Sequence, residues 1–154
     1  MSAVAKKLAQ LDITLPAPST PVAAYVPYVI TGDLVFISGQ LPMEDGKLQA
    51  TGTLGAEVSL EAGVKAARLC ALNILAHLKN ACGGDLDRVK ACVRVGGFVA
   101  SAPGFFDQPK VINGASELIQ EVFGEAGRHS RAAVGVSALP RNAAVEVEAV
   151  FALK

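Results

Sequence analysis

The chain has 154 residues, 51% of them apolar, yet only six Phe, two Tyr and no Trp; fourteen Lys and Arg balance fourteen Asp and Glu. A core must therefore be filled by Ala, Val, Leu and Ile, in one domain over 1–154 made of an N-terminal helix and extended segment (1–20) and a core (21–154). A neutral balance with no basic block provides no long-range field to recruit nucleic acid, which makes that partner unlikely.

The first ten residues lack an apolar run of signal-peptide length, and no segment approaches the roughly eighteen apolar residues of a membrane span. Cys70, Cys82 and Cys92 are odd in number and irregularly spaced, which suits small buried thiols rather than a disulfide or ligand pattern. The expectation is a soluble, reduced, cytoplasmic protein with no membrane contact.

In chain order, Val4, Leu8 and Leu11 set a short amphipathic helix over 3–11. Proline breaks the stretch 15–21, which predicts a surface connection. Residues 22–30, including Tyr25 and Tyr28, have strand composition, with Pro27 demoting them to an edge. Thr31-Gly32-Asp33 predicts a hairpin into Leu34-Val35-Phe36-Ile37-Ser38, a nearly continuous apolar run expected to be buried on both faces. Asp45-Gly46 marks another turn, and 51–58 a loop.

Ser59 is a good N-cap, with Glu61 in the first turn where the helix dipole favours a carboxylate. A long helix then runs to about residue 82, stopped by Gly83-Gly84. Its stripe is Val64, Ala67, Ala71, Leu75, Leu78 and Cys82; Lys65, Asn73, His77 and Asn80 fall on the opposite flank, so His77 is expected to be solvated or a subunit contact. A strand over 89–99, a loop holding Phe105 and Phe106, and a helix over 111–123 follow. Crossovers by long helices on one side predict an α+β fold: a two-layer mixed β-sheet with two helices on one face.

The last quarter reads as a closing hairpin around Pro140, Arg141 and Asn142. Ala132, Val134 and Val136 alternate on one strand, and Val145, Val147 and Ala149 on the other. If those apolar residues share a face, Arg131, Ala133, Gly135, Glu146 and Glu148 share the other. An arginine and two glutamates among small residues make a ligand-sized space; the structural alternative is an ion pair across the hairpin. Phosphate-loop, dinucleotide, nucleophile-elbow and zinc-protease motifs are absent. Two histidines are too few for a confident metal site, although His129 stands two residues before Arg131.

Tyr25, Ser38-Gly39-Gln40-Leu41-Pro42, Asn113, and Arg131 with Val134, Leu139-Pro140 and Val145-Glu146-Val147-Glu148-Ala149 together resemble the RidA/YjgF family, also labelled endoribonuclease L-PSP. The likeness covers about residues 20–153 and points to the longer branch, whose fold resembles the AroH-type chorismate mutase. It implies a homotrimer with a small-carboxylate cleft at each subunit interface and no cofactor or metal. In the deaminase branch the arginine matching Arg131 clamps the carboxylate of an enamine or imine acid, and the glutamate matching Glu146 positions water for hydrolysis to a 2-keto acid and ammonia. Residues matching Tyr25, Ser38, Gly39 and Asn113 line the pocket, with Glu148 and His129 as further candidates. Those deaminases carry cysteine where this chain has Ala133, and Ala or Gly where it has Ser130. The changed wall motivates a second reading, a non-catalytic ligand-binding or chaperone-like module.

Overall fold

In a computed structural model, which describes residues 1–21 and 23–154, the chain forms helices α1 (Ala3–Gln10), α2 (Leu60–Ala81) and α3 (Gln108–Phe123). Its strands are β1 (Tyr28–Thr31), β2 (Leu34–Gln40), β3 (Met43–Glu44), β4 (Lys47–Leu48), β5 (Val89–Ala100), β6 (Ser130–Val136) and β7 (Val145–Leu153). The long elements lie where periodicity places them. The Ser59 hydroxyl accepts from the Ala62 N–H to start α2, and the helix ends before Gly83-Gly84. Helix α3 starts three residues earlier than expected because Pro109 falls in its first turn, where the missing N–H leaves no hydrogen bond unmade.

Five strands form one sheet in the order β1-β2-β7-β5-β6, and β3–β4 is a separate small hairpin. The β1–β2 hairpin turns at Gly32, which adopts a positive φ, as Thr31-Gly32-Asp33 implied. Only β5 and β6 are parallel; such a pair needs a long crossover, and α3 supplies it.

This order overturns the closing hairpin. Strand β5 lies between β6 and β7, pairing parallel with one and antiparallel with the other. The Pro140 segment steps across the end of β5 instead of turning back on β6. Alternation gives the same signal for a hairpin and for two strands that skip a neighbour, which is why the sequence misleads here.

Helices α2 and α3 cover one face of the sheet. A Cβ on Gly97 would collide with Ile112 of α3, whereas one on Gly96 would meet Glu148 on the other side. Val35, Ile37, Val95, Val99, Val145, Val147 and Phe151 form one buried cluster with Ala67, Ala71, Ile74, Leu75 and Leu78 of α2 and Ile112, Leu118 and Ile119 of α3. Each fully buried large aliphatic contributes about 1.5–3 kcal/mol.

The opposite face is bare in a single chain: Val29, Phe36 and Val134 are 52%, 44% and 45% exposed. Strand β2 is therefore buried on one face, not two.

Two further expectations fail. Of the predicted strand 22–30 only residues 28–30 lie in a strand, β1 (Tyr28–Thr31), leaving Tyr25 outside it, and Val22 lies outside the described residues. His77, expected to be solvated or a subunit contact, is instead buried within its own chain, as is Asn73 on the same flank. Asn73 donates to the carbonyls of Met43 and Leu69, and His77 Nε2 lies 3.3 Å from the Ser19 hydroxyl, under the proline-broken segment. Burial without a charged partner pushes the His77 pKa down. The flank looked polar because a chain segment distant in sequence lies over it.

Candidate functional site

Arg131 lies near the start of the edge strand β6. Its row across the sheet is Arg131, Val95, Ala149, and paired residues share a face. Since Val95 and Ala149 are buried in the core, Arg131 points to the α3 side. There Nη1 donates to Asn113 Oδ1 (2.8 Å) and Ser116 Oγ (3.2 Å), and Nη2 to the Pro109 carbonyl (3.4 Å). All three acceptors are neutral, and among the described residues no carboxylate pairs with Arg131. The guanidinium fronts a pocket of about 350 Å³ lined by Asn113, Ser116, Glu117, Gln120, His129 and Arg131. A guanidinium held by neutral acceptors beside an open polar pocket can receive an anion, because arginine offers a planar fork that matches a carboxylate. Glu117 also lines the pocket but forms no ion pair with it.

Glu146 and Glu148 occupy the other face. Glu148 shares a row with Gly96 and Ala132, and Glu146 with Phe98 and Val134. The expected common face for Arg131 and the glutamates is therefore corrected, and the alternative ion pair across a hairpin falls with it. The Glu146 side chain lies over Gly39, where a Cβ would collide with its carboxylate. Glu146 is half-buried and has no cationic partner among the described residues. Burial raises its carboxyl pKa above the usual range, and the Glu148 charge raises it further. Such a carboxylate is poised to hold or exchange a proton nearer neutrality.

The remaining predicted residues fall into the same two groups. Asn113 and His129 join Arg131; Ser38 and Gly39 join the glutamates. The Ser38 hydroxyl donates to the Val26 carbonyl (2.7 Å), latching the segment that carries the exposed Tyr25. Ser38 and Glu148 also line a second pocket of about 360 Å³ on the bare face, with Val29, Phe36 and Arg94. From β2 to β6 there are three inter-strand steps, or roughly 14 Å. Within one chain, no small ligand spans that distance and both faces of the sheet.

Sequence reasoning missed Ser116, which accepts from Arg131 and lies 2.8 Å from His129 Nε2. Its position seven residues before the end of α3 carries no motif; only the packing of α3 over β6 brings it to the arginine. Among the described residues, no group of three or more His, Cys, Asp or Glu could hold a metal ion, and no helix is long and apolar enough to cross a membrane.

A five-stranded mixed sheet with one parallel pair, two helices on one face and an edge arginine bound to neutral acceptors defines an α+β domain of the YjgF/chorismate mutase-like class. The family described as "YjgF/chorismate mutase-like, putative endoribonuclease" matches residues 5–153, and the chain belongs to it. Protein TCP17 of Trypanosoma cruzi is 50% identical over 97% of this chain and 94% of its own length. The crystal structure of Atu1372 from Agrobacterium tumefaciens superposes with a TM-score of 0.92 at 48% identity, covering 98% of this chain and 92% of that one. A Shewanella oneidensis protein described as a putative endoribonuclease superposes at 0.94 with 37% identity, covering 99% and 100%.

Proposed function

We propose that the protein forms a homotrimer that binds small 2-imino or 2-keto carboxylates between subunits and hydrolyses enamine or imine acids to 2-keto acids and ammonia, without a cofactor. The observation that carries this reading is Arg131, a guanidinium tied to three neutral acceptors and in no salt bridge among the described residues. Such a group is complete only when an anion arrives. Hydrogen bonds to charged groups contribute roughly 1.5–3 kcal/mol each, enough to orient a small acid.

The second half of the chemistry needs a base near the C=N carbon. Glu146 has the required character, being partly desolvated and without a salt-bridge partner among the described residues. Because Arg131 and Glu146 lie on opposite faces and two strands, β7 and β5, stand between Arg131 on β6 and the Ser38–Gly39 wall on β2, one subunit supplies the arginine pocket and its neighbour the glutamate. The bare apolar face bearing Val29, Phe36 and Val134 supports association, since such patches on soluble chains mark contact surfaces. In the assembled cleft, Arg131 clamps the carboxylate and Glu146 orients water toward the iminium carbon. An enamine acid first takes a proton from solvent at its β-carbon to give the iminium. Water then adds its oxygen as Glu146 takes a proton from it, and Glu146 returns that proton to the carbinolamine nitrogen. Ammonia leaves as the C=O bond forms and the hydroxyl proton passes back to Glu146.

Freshly generated 2-aminoacrylate tests the reading: the protein accelerates pyruvate release above the spontaneous rate, and Arg131→Ala does not. No acceleration by the intact protein contradicts the enzymatic reading. Binding of keto acids without acceleration supports instead the non-catalytic module that Ser130 and Ala133 motivate. A ribonuclease reading would require RNA cleavage that persists through purification and disappears in Arg131→Ala, from a chain of zero net charge.

A further inference from the structure

His129 is held at both ring nitrogens. Nδ1 lies 2.7 Å from the Gly127 carbonyl, and Nε2 lies 2.8 Å from the Ser116 hydroxyl. A carbonyl only accepts, so Nδ1 carries a proton. In a neutral ring Nε2 is then the acceptor, and the Ser116 O–H donates to it. That leaves the Ser116 oxygen lone pairs facing outward, and Arg131 Nη1 donates to them. A ring protonated at both nitrogens would aim a second cationic donor at the hydroxyl already serving the guanidinium. The neutral Nδ1–H tautomer is the state in which the His129 N–H, the Ser116 O–H and both Arg131 Nη1 hydrogens each meet an acceptor.

We propose that His129 is a positioning residue for the anion site, acting through Ser116 to fix which edge of Arg131 faces the ligand; the inference rests on the reading of Arg131 as a carboxylate anchor. Both Nη1 hydrogens are taken up, one by Ser116 and one by Asn113, and one Nη2 hydrogen leans to Pro109. With both Nη1 hydrogens turned inward, the open side of the guanidinium is the Nε–Nη2 edge, where Nε–H meets no acceptor among the described residues, so a carboxylate is received side-on there. A guanidinium held this way loses little side-chain freedom on binding, and such preorganisation is where affinity is gained.

The backbone is shaped for the arrangement. Gly127 packs against α3 so closely that a Cβ would collide with the Ile119 carbonyl and the Gln120 backbone. A glycine there lets its own carbonyl reach the imidazole. Ser116, only 6% exposed, is positioned within the helix and cannot relax toward solvent if its partner is lost.

Two measurements on the full chain test the proposal. First, long-range nitrogen–proton NMR spectra of histidine-labelled protein at pH 8 report the His129 tautomer without any ligand, with His129→Gln assigning the signals. A neutral ring protonated at Nδ1 is expected; protonation at Nε2 overturns the proposal. Second, pyruvate affinity is compared across variants of matched melting temperature. His129→Leu and Ser116→Ala weaken binding about tenfold, the size of one lost hydrogen bond. His129→Gln restores it, because the amide oxygen can accept from Ser116. Unchanged pyruvate affinity in His129→Leu overturns the positioning role. If intact protein binds no pyruvate, the anchor reading of Arg131 fails instead, and the tautomer still decides the network.

Discussion

The edge around β6 and the ridge where β7 meets β2 are built on opposite principles. At the edge, Arg131 has several partners, all neutral, beneath a helix that holds it still. At the ridge, Glu146 and Glu148 form no salt bridge among the described residues, although Arg94 shares a pocket with Glu148, and each lies over a glycine, Gly39 and Gly96. Neither Arg131 nor the two glutamates close an ion pair among the described residues, and the fold keeps them on opposite faces of the sheet. A chain that needed only stability would pair these charges. Leaving them apart makes sense where a ligand and a neighbouring subunit complete both.

The largest effect should come from emptying the edge. Arg131→Ala removes two or more charge-assisted hydrogen bonds to the carboxylate and should lower keto-acid formation by about 100-fold or more, measured as pyruvate release from 2-aminoacrylate. The same change leaves Asn113 and Ser116 without their donor and should cost about 1–3 kcal/mol in urea unfolding. Unaltered activity would end the anchor role.

Glu146→Gln should reduce turnover by about 100-fold, a typical share for a positioned base, while keto-acid affinity stays near its original value. Parallel losses of both would place Glu146 in binding instead.

The pH profile sharpens the ridge. The base must be ionised, so activity rises with pH through the raised Glu146 pKa, and the acid limb lies above the usual carboxylate range. Glu148→Gln removes one cause of that elevation, so the limb should move to lower pH. A shift to higher pH would show that Glu148 acts on Glu146 in some other way.

The smallest effect concerns stability. A carboxyl whose pKa is raised by folding favours the native state while protonated, and that contribution is lost as pH rises from the unfolded carboxyl value through the folded one. Glu146→Gln should therefore slightly raise the melting temperature at neutral pH and leave it unchanged in acid, opposite to Arg131→Ala. His77 has the reverse sign: its lowered pKa means stability falls as pH drops through the ordinary imidazole value of 6.5, and His77→Phe should flatten that limb.

Much of this was legible without coordinates. Ser59, Glu61 and the run to Gly83-Gly84 bound α2 because caps and dipoles act locally. Arg131, Asn113, His129, Ser38, Gly39 and Glu146 could be singled out by residue type and resemblance. What failed was long-range: the Ala132 and Val145 alternations could not reveal that β5 runs between them, so Arg131 and Glu146 were assigned a common face they do not share. Phe36 looked buried on composition alone, though its side of β2 is uncovered in a single chain. Ser116 carries no signal of its own and the burial of His77 is not legible, because their partners, His129 and Ser19, come from other elements of the chain.

The central claim is that Arg131 and Glu146 act on one ligand from different chains. Mixing Arg131→Ala and Glu146→Gln proteins in equal amounts, unfolding and refolding them together, and measuring pyruvate release tests it most directly. Random exchange in a cyclic trimer places an intact arginine opposite an intact glutamate in half of a half of the clefts, so about a quarter of the original activity should return. Activity no greater than the average of the two variants alone would mean that the residues do not meet across subunits, and the account would be wrong.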